Sequence, residues 1–177
     1  MKVLVLVGSL RADSLNSKLA KNFGEIIGRD KEISVEYQYA DFPAFNSDEY
    51  ENAPKSVAEF REKLEFADGV SIVSPEYNRS LPGNVKNALD WSGWMVKNYW
   101  GDKKVAISGA SMGTGGTMSM QYDLRKVLGF IGAKIMTNPE FFGIKAQEYF
   151  TENGELKDEE KPFAEEFAKN VVDYFKK

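Results

Sequence analysis

The residues best equipped for chemistry lie between positions 8 and 17, where the chain reads Gly8-Ser9-Leu10-Arg11-Ala12-Asp13-Ser14-Leu15-Asn16-Ser17 between an apolar run and a helical stretch. Ser9, Ser14 and Ser17 offer hydroxyls, Asn16 an amide and Arg11 a permanent positive fork. A helix start adds free backbone N–H groups and the positive end of its dipole. Such a set suits a phosphate monoester dianion. Ser14 or Asn16 acting only as a helix cap is the plainer reading, but capping does not account for Arg11 among three hydroxyls. Neither G-x-G-x-x-G nor G-x-x-x-x-G-K-[ST] is present in this loop, so a mononucleotide fits better than a dinucleotide or a P-loop ligand.

A second segment, Ser74 to Asn84, carries Pro75, Glu76, Tyr77 and Asn78 between prolines that stiffen it. Its peptide groups at 76–78 suit the edge of a flat heterocycle and Tyr77 suits its face; an ordinary turn with an exposed tyrosine is the alternative. A third, Ser108 to Thr117, includes Ser111, Met112 and Gly113 among four glycines. Glycine permits close approach of backbone to a ligand, although a glycine-rich turn alone is a weak signal. Asp90-Trp91, Trp94, Met95 and Trp100 add bulky surface that either faces a ring or packs in a core or subunit contact.

Composition narrows the chemistry. The 177 residues include no His and no Cys, which removes Ser-His-Asp arrangements, thiolate nucleophiles and the usual zinc ligands. No metal centre and no catalytic side chain are expected, and a bound cofactor is left to carry the reaction. A net charge of −4 with no basic cluster argues against nucleic acid. The apolar run at the amino end stops after about six residues, too short for a membrane span or a signal h-region. It reads as a buried strand, and a cytoplasmic address with no membrane partner is the expectation.

The elements that must position these loops follow from periodicity. Continuous apolar runs at Lys2 to Val7, Gly69 to Val73 and Lys104 to Ile107 predict buried parallel strands, with weaker candidates at Ile33 to Tyr39 and Ala133 to Met136. Helical spacing places Leu19, Phe23, Ile26 and Ile27 on one face of a first helix, and Val57, Phe60, Leu64 and Ala67 on one face of a second that opens with a capping box from Ser56 to Glu59. Further helices are predicted at Gly83 to Trp91, near Thr117 to Gly132, and from about Asp158 to Phe175 with a face of Phe163, Phe167, Val171 and Tyr174. Alternating strand and helix predicts an α/β three-layer sandwich: a five-stranded parallel sheet, order 2-1-3-4-5, in one domain over 1–177. In that order the loops after the first, third and fourth strands gather at the carboxyl edge, where open α/β sheets bind ligands.

Three motifs carry a resemblance: Gly-Ser-Leu-Arg-x-x-Ser-x-Asn at 8–16, Pro-Glu-Tyr-Asn-x-Ser-x-Pro-Gly-x-x-Lys-Asn-x-x-Asp-Trp at 75–91, and Ser-Met-Gly with a following Gly-Gly at 111–116. Over nearly its whole length the chain resembles the flavodoxin-like NADPH-dependent FMN reductase family, which includes chromate and quinone reductases. The resemblance implies that Ser9, Arg11, Ser14 and Asn16 hold the FMN phosphate, with Ser17 as an extra contact. It implies that Pro75, Glu76, Tyr77 and Asn78 lie beside the isoalloxazine and ribityl chain, and Ser111, Met112 and Gly113 at the other edge. NADPH or NADH would deliver hydride to flavin N5 and leave, and a small acceptor would then take its place: a flavin, quinone, azo compound, metal oxyanion or dioxygen. Gln121-Tyr122-x-Leu124-Arg125 and Asn138-Pro139-Glu140-Phe141 resemble subunit-contact segments, implying a homodimer or homotetramer. The third loop has Thr117-Met118 where the family often has an arginine after its glycine pair. The alternative reading is a flavodoxin-like FMN electron carrier without NAD(P)H turnover; the mild net charge favours the enzyme, since carriers commonly dock through a strong acidic field.

Overall fold

The amino-terminal run KVLVLV alternates its side chains across a sheet, and both faces are covered. In the computed structural model, which describes every residue except 94 and 95, this run forms β1 (Lys2–Val7). Val3, Val5 and Val7 pack on one side with α1 (Leu15–Ile27) and α5 (Lys161–Lys176). Leu4 and Leu6 pack on the other with α2 (Lys55–Phe66), α3 (Gly83–Ser92) and α4 (Met118–Phe130). A strand apolar on both faces needs helices on both, which is why these sequences make three layers. With β2 (Ser34–Tyr39), β3 (Gly69–Val73), β4 (Lys104–Ser108) and β5 (Lys134–Ile135), the sheet has the order β2-β1-β3-β4-β5, all pairs parallel. This is the predicted topology. Each large side chain fully buried there, such as Phe23, Phe60 or Leu64, contributes on the order of 1.5–3 kcal/mol of hydrophobic stabilisation.

Several sequence expectations are corrected. The capping box on α2 does not form: Pro54 is the N-cap, no side chain caps the helix, and the Pro54 carbonyl accepts from the N–H groups of Val57 and Ala58 at 2.9 and 3.0 Å. The helix therefore begins two residues early, which puts Ser56 inside the first turn. On α5 the buried stripe is Ala164, Phe167, Ala168, Val171 and Phe175 rather than one through Phe163 and Tyr174. The two alanines let the helix approach the sheet closely, and Phe167 meets Phe23 of α1 at 5.1 Å. Phe163, half exposed, stacks on Phe141 at 5.0 Å.

Trp91 and Trp100 are completely buried, so neither faces a ligand ring; Trp94 and Met95 lie outside the described residues. The Trp91 indole N–H donates to the Pro43 carbonyl at 2.8 Å and the Trp100 indole to Ser92 Oγ at 2.8 Å. Arg61 of α2 is buried beside them, donating to the Trp91 carbonyl from Nε (2.9 Å) and Nη2 (2.7 Å) and to the Tyr50 carbonyl at 3.0 Å. Its guanidinium lies 4.0 Å from the Tyr50 ring centroid. A cation at the carboxyl end of α3 opposes the negative end of that helix dipole.

Candidate functional site

The parallel order β2-β1-β3-β4-β5 brings the loops after β1, β3 and β4 together at the carboxyl edge. Between them lies a cleft of about 220 Å³. The first loop lines it with Ser9, Arg11, Ser14 and Asn16, the second with Pro75, Glu76 and Tyr77, and the third with Ser111 and Met112. Ser17, Asn78 and Gly113, also expected here, stand outside this lining. Tyr77 and Met112 flank the mouth, 46% and 63% exposed.

In the first loop Ser14 is the N-cap of α1, its Oγ accepting from Asn16 N–H (3.1 Å) and Ser17 N–H (3.2 Å). Capping and anion binding are thus compatible in one residue, because a hydroxyl that accepts both bonds still has its proton to donate. Ser17 lends its N–H to that cap, while its own Oγ is buried and has no hydrogen-bond partner among the described residues. Ser9 is buried and Arg11 exposed. Among the described residues Arg11 forms no ion pair and the Ser9 hydroxyl no hydrogen bond. Asp13, the one carboxylate in this loop, is neutralised by Lys18 at 2.5 Å, and that contact holds its carboxyl below the usual aspartate range. What remains is a positively biased loop with uncommitted donors, a set whose chemistry fits the phosphate of FMN.

Asn16 has a different task. Its Nδ2 donates to the Ala110 carbonyl at 2.9 Å and its Oδ1 accepts from the Ala110 N–H at 2.8 Å. Its amide is occupied by the third loop and ties the two loops together. Gly109, beside that tie, has no room for a side chain, since a Cβ there would strike the Ser74 carbonyl and Thr117.

The second loop closes as a two-residue hairpin in which Tyr77 and Ser80 exchange backbone bonds of 3.1 and 3.0 Å. Asn78 and Arg79 occupy its tip with φ of 50° and 63°, the left-handed pair of a type I′ turn. This uses the Tyr77 N–H and leaves its ring at the cleft mouth. Glu76 turns away: its Oε2 accepts from the Met120 N–H at 3.0 Å. Thr117, at the start of α4, provides no side-chain cap, so a carboxylate from another loop satisfies that helix end and meets its dipole. Ser80 Oγ donates to Asp123 at 2.6 Å, fastening the hairpin to α4.

The remainder of the second motif is scaffold. Asn84 Nδ2 donates to the carbonyls of Gly8 and Ala40, both at 3.0 Å. Asn87 Nδ2 donates to the carbonyls of Phe42 and Pro43 and its Oδ1 accepts from Phe45 N–H. Lys86 pairs with Asp90 one turn on. The third loop rests on segment 141–146 through Ser111 N–H to Gly143 O and Ala146 N–H to Ser111 O, at 2.8 and 2.9 Å. The sequence predicts no element for that segment, because it carries no periodic signal by which to place it. Of the expected subunit-contact segments, Gln121 and Arg125 bind within the chain, to the Phe141 and Met136 carbonyls, while Tyr122 is exposed.

A family model for NADPH-dependent FMN reductases matches residues 1–148. The chain is 39% identical over 145 residues to a quinone reductase of Escherichia coli strain K12, a stretch covering 81% of this chain and 77% of that one. It is similar in structure, with a TM-score of 0.89 and 35% identity, to FerB, a flavoenzyme NAD(P)H:(acceptor) oxidoreductase from Paracoccus denitrificans, covering 99% of this chain and 97% of that one. A flavodoxin from the domain Archaea shares the fold at a TM-score of 0.64 and 13% identity, with 100% of each chain covered. A phosphate-suited first loop, a stiff hairpin and a docked glycine-rich loop in one cleft, together with these likenesses, place the chain in the NADPH-dependent FMN reductase family.

Proposed function

We propose that this chain, as one domain over 1–177, is an FMN-dependent NAD(P)H oxidoreductase that passes electrons to a small acceptor, with quinones the first class to test. The single observation that carries the reading is the group of uncommitted donors around Ser9, Arg11 and the capped start of α1, in a cleft whose other walls are the hairpin and the glycine-rich loop. FMN, when bound, supplies a ring that accepts hydride and releases it to an acceptor. The protein binds and orients. Ser9, Arg11 and Ser14 would hold the phosphate, while Asn16 would act on it indirectly by holding the third loop. Pro75 and Tyr77 on one wall of the cleft and Ser111 and Met112 on the other would bound the ring, with Asn78 shaping the turn and the Gly113 carbonyl accepting from Lys145 N–H to seat the third loop. Glu76 fixes the distance between the hairpin and α4.

No helix among the described residues is long and apolar enough to cross a membrane, and the lack of cysteine suits the reducing cytoplasm we assign to the protein. Exposed Met118, Tyr122 and Ile144 beside the third loop support assembly as a homodimer or homotetramer, which sedimentation equilibrium tests. The test of function is a titration of the purified protein with FMN, followed by NADPH or NADH oxidation at 340 nm with and without a benzoquinone. Flavin retention with acceptor-dependent turnover is expected. Flavin retention without NAD(P)H oxidation would convert the reading to an electron carrier.

A further inference from the structure

Arg79 occupies a backbone position that an arginine rarely takes. Type I′ hairpins favour Asn or Gly at both inner positions; Asn78 conforms, whereas Arg79 holds φ of 63° with a long side chain, a left-handed geometry carrying a conformational penalty for such residues. Its side chain is 79% exposed, and among the described residues its one ion-pair contact is Glu76 Oε1, 3.7 Å from Nη1. Glu76 is already engaged with α4 through its other oxygen. The Arg79 head instead lies against the third loop, where a Cβ on Gly115 would come 3.1 Å from Nη1.

The third loop brings no cation of its own from Ser108 to Thr117, and Thr117 is buried with its hydroxyl donating to the Phe142 carbonyl at 3.0 Å. A second cation approaches the same loop: Lys145, also left-handed at φ 48°, whose backbone N–H donates to Gly113 O at 3.2 Å. Its side chain is exposed and forms no ion pair among the described residues. Arg79, held by one long ion-pair contact, thus sets its guanidinium against the glycine-rich loop, and the exposed Lys145 is tied to the same loop by its backbone, in a chain of net charge −4; neither belongs to the Arg11 loop.

We propose that Arg79 is the docking cation for the phosphate groups of the reduced dinucleotide donor, with Lys145 as its second contact. The inference rests on reading the cleft as an FMN and NAD(P)H site and adds a subsite to it. A guanidinium receives a phosphate through two parallel N–H bonds, and the long contact to Glu76 leaves it free to turn without breaking a good hydrogen bond. The exposed ring of Tyr77 and thioether of Met112, both on the cleft lining, provide apolar surface for the rest of the dinucleotide.

The test uses the FMN-loaded protein with Arg79→Ala, Arg79→Lys and Arg79→Gly, the last relieving the left-handed strain and so keeping the fold safe. Readouts are KM and kcat with NADPH and with NADH, and calorimetric binding of NADP⁺ and adenosine 2′,5′-bisphosphate. KM and Kd are expected to rise about tenfold or more in the Ala and Gly variants, on the scale of one charge-assisted bond pair. Arg79→Lys should fall between these variants and wild type, kcat should change far less than KM, and the rise of KM with salt should flatten. Equal losses with both donors place Arg79 on the pyrophosphate and a loss confined to NADPH places it on the 2′-phosphate; both support phosphate docking. KM and Kd within twofold of wild type, with FMN still bound, would overturn it. A wild-type protein that binds FMN but oxidises neither donor and binds no NADP⁺ would instead sink the underlying oxidoreductase reading.

Discussion

Replacing Asn16 by Ala separates a positioning residue from a phosphate ligand. In the structure the Asn16 amide pairs with both the N–H and the C=O of Ala110, at 2.8 and 2.9 Å, and Ala110 is only 2% exposed. Truncation leaves two buried backbone groups without partners, at about 1–3 kcal/mol each, so a loss of about 2–6 kcal/mol is expected before water enters the space. For a chain of this size about 1 kcal/mol shifts the melting temperature by roughly 2–4 °C, which puts the expected drop on the order of 4–24 °C. The assay is thermal and urea unfolding of the flavin-free protein, where a phosphate ligand would have no effect. Asn16→Asp keeps the bond accepted from the Ala110 N–H but sets a carboxylate against its carbonyl, so it too should be destabilised. FMN affinity should fall with either change, because the third loop loses its tie to the first. A flavin-free Asn16→Ala protein melting within about 2 °C of wild type, with only its FMN affinity reduced, would refute the positioning role.

Arg11→Ala should show the opposite pattern: a loss of FMN affinity by about 1.5–3 kcal/mol, roughly 10- to 150-fold by flavin fluorescence titration, with flavin-free stability unchanged because the side chain is exposed. Glu76→Ala should destabilise by about 1 kcal/mol in urea, the scale of a lost helix cap, and Glu76→Gln should recover most of it by still accepting from Met120 N–H. The Asp123 carboxyl is held below the usual aspartate range by the Ser80 hydroxyl first and Lys126 second. A depressed folded-state pKa gives stability that is present above the unfolded value, near pH 4, and is lost as pH falls through the folded value. The gap in urea midpoint between wild type and Asp123→Ala should therefore hold from neutral pH down to about 4 and narrow below it; a gap that widens on acidification would contradict the assignment.

The layers and the strand order are legible in the amino-acid sequence. Unbroken apolar strands such as KVLVLV require cover on both faces, and alternating helices supply it with one handedness, so composition and period together set the architecture. The same order implies that the loops after β1, β3 and β4 meet, because the sheet reverses its direction of growth beside β1. That Ser9, Arg11 and Ser14 would line the cleft at the start of α1 is legible too, because hydroxyls and a guanidinium ahead of a helix start form a set suited to an anion. The weaker expectations fail where neighbours outvote local preference. The α2 capping box yields to Pro54, and the stripe on α5 turns because Ala164 and Ala168 allow closer packing.

What only the tertiary structure decides is the division of labour among polar residues of one motif. Asn16 and Ala110 are 94 positions apart in sequence, and Glu76 and Met120 are 44 apart; nothing local marks an amide or a carboxylate as belonging to a distant backbone rather than to a ligand. The same holds for Arg61, whose buried place depends on carbonyls delivered by Trp91 and Tyr50, and for the guanidinium of Arg79 over Gly115. Residue type states which hydrogen bonds a side chain is able to make, and only the packed chain determines which partners are left for it.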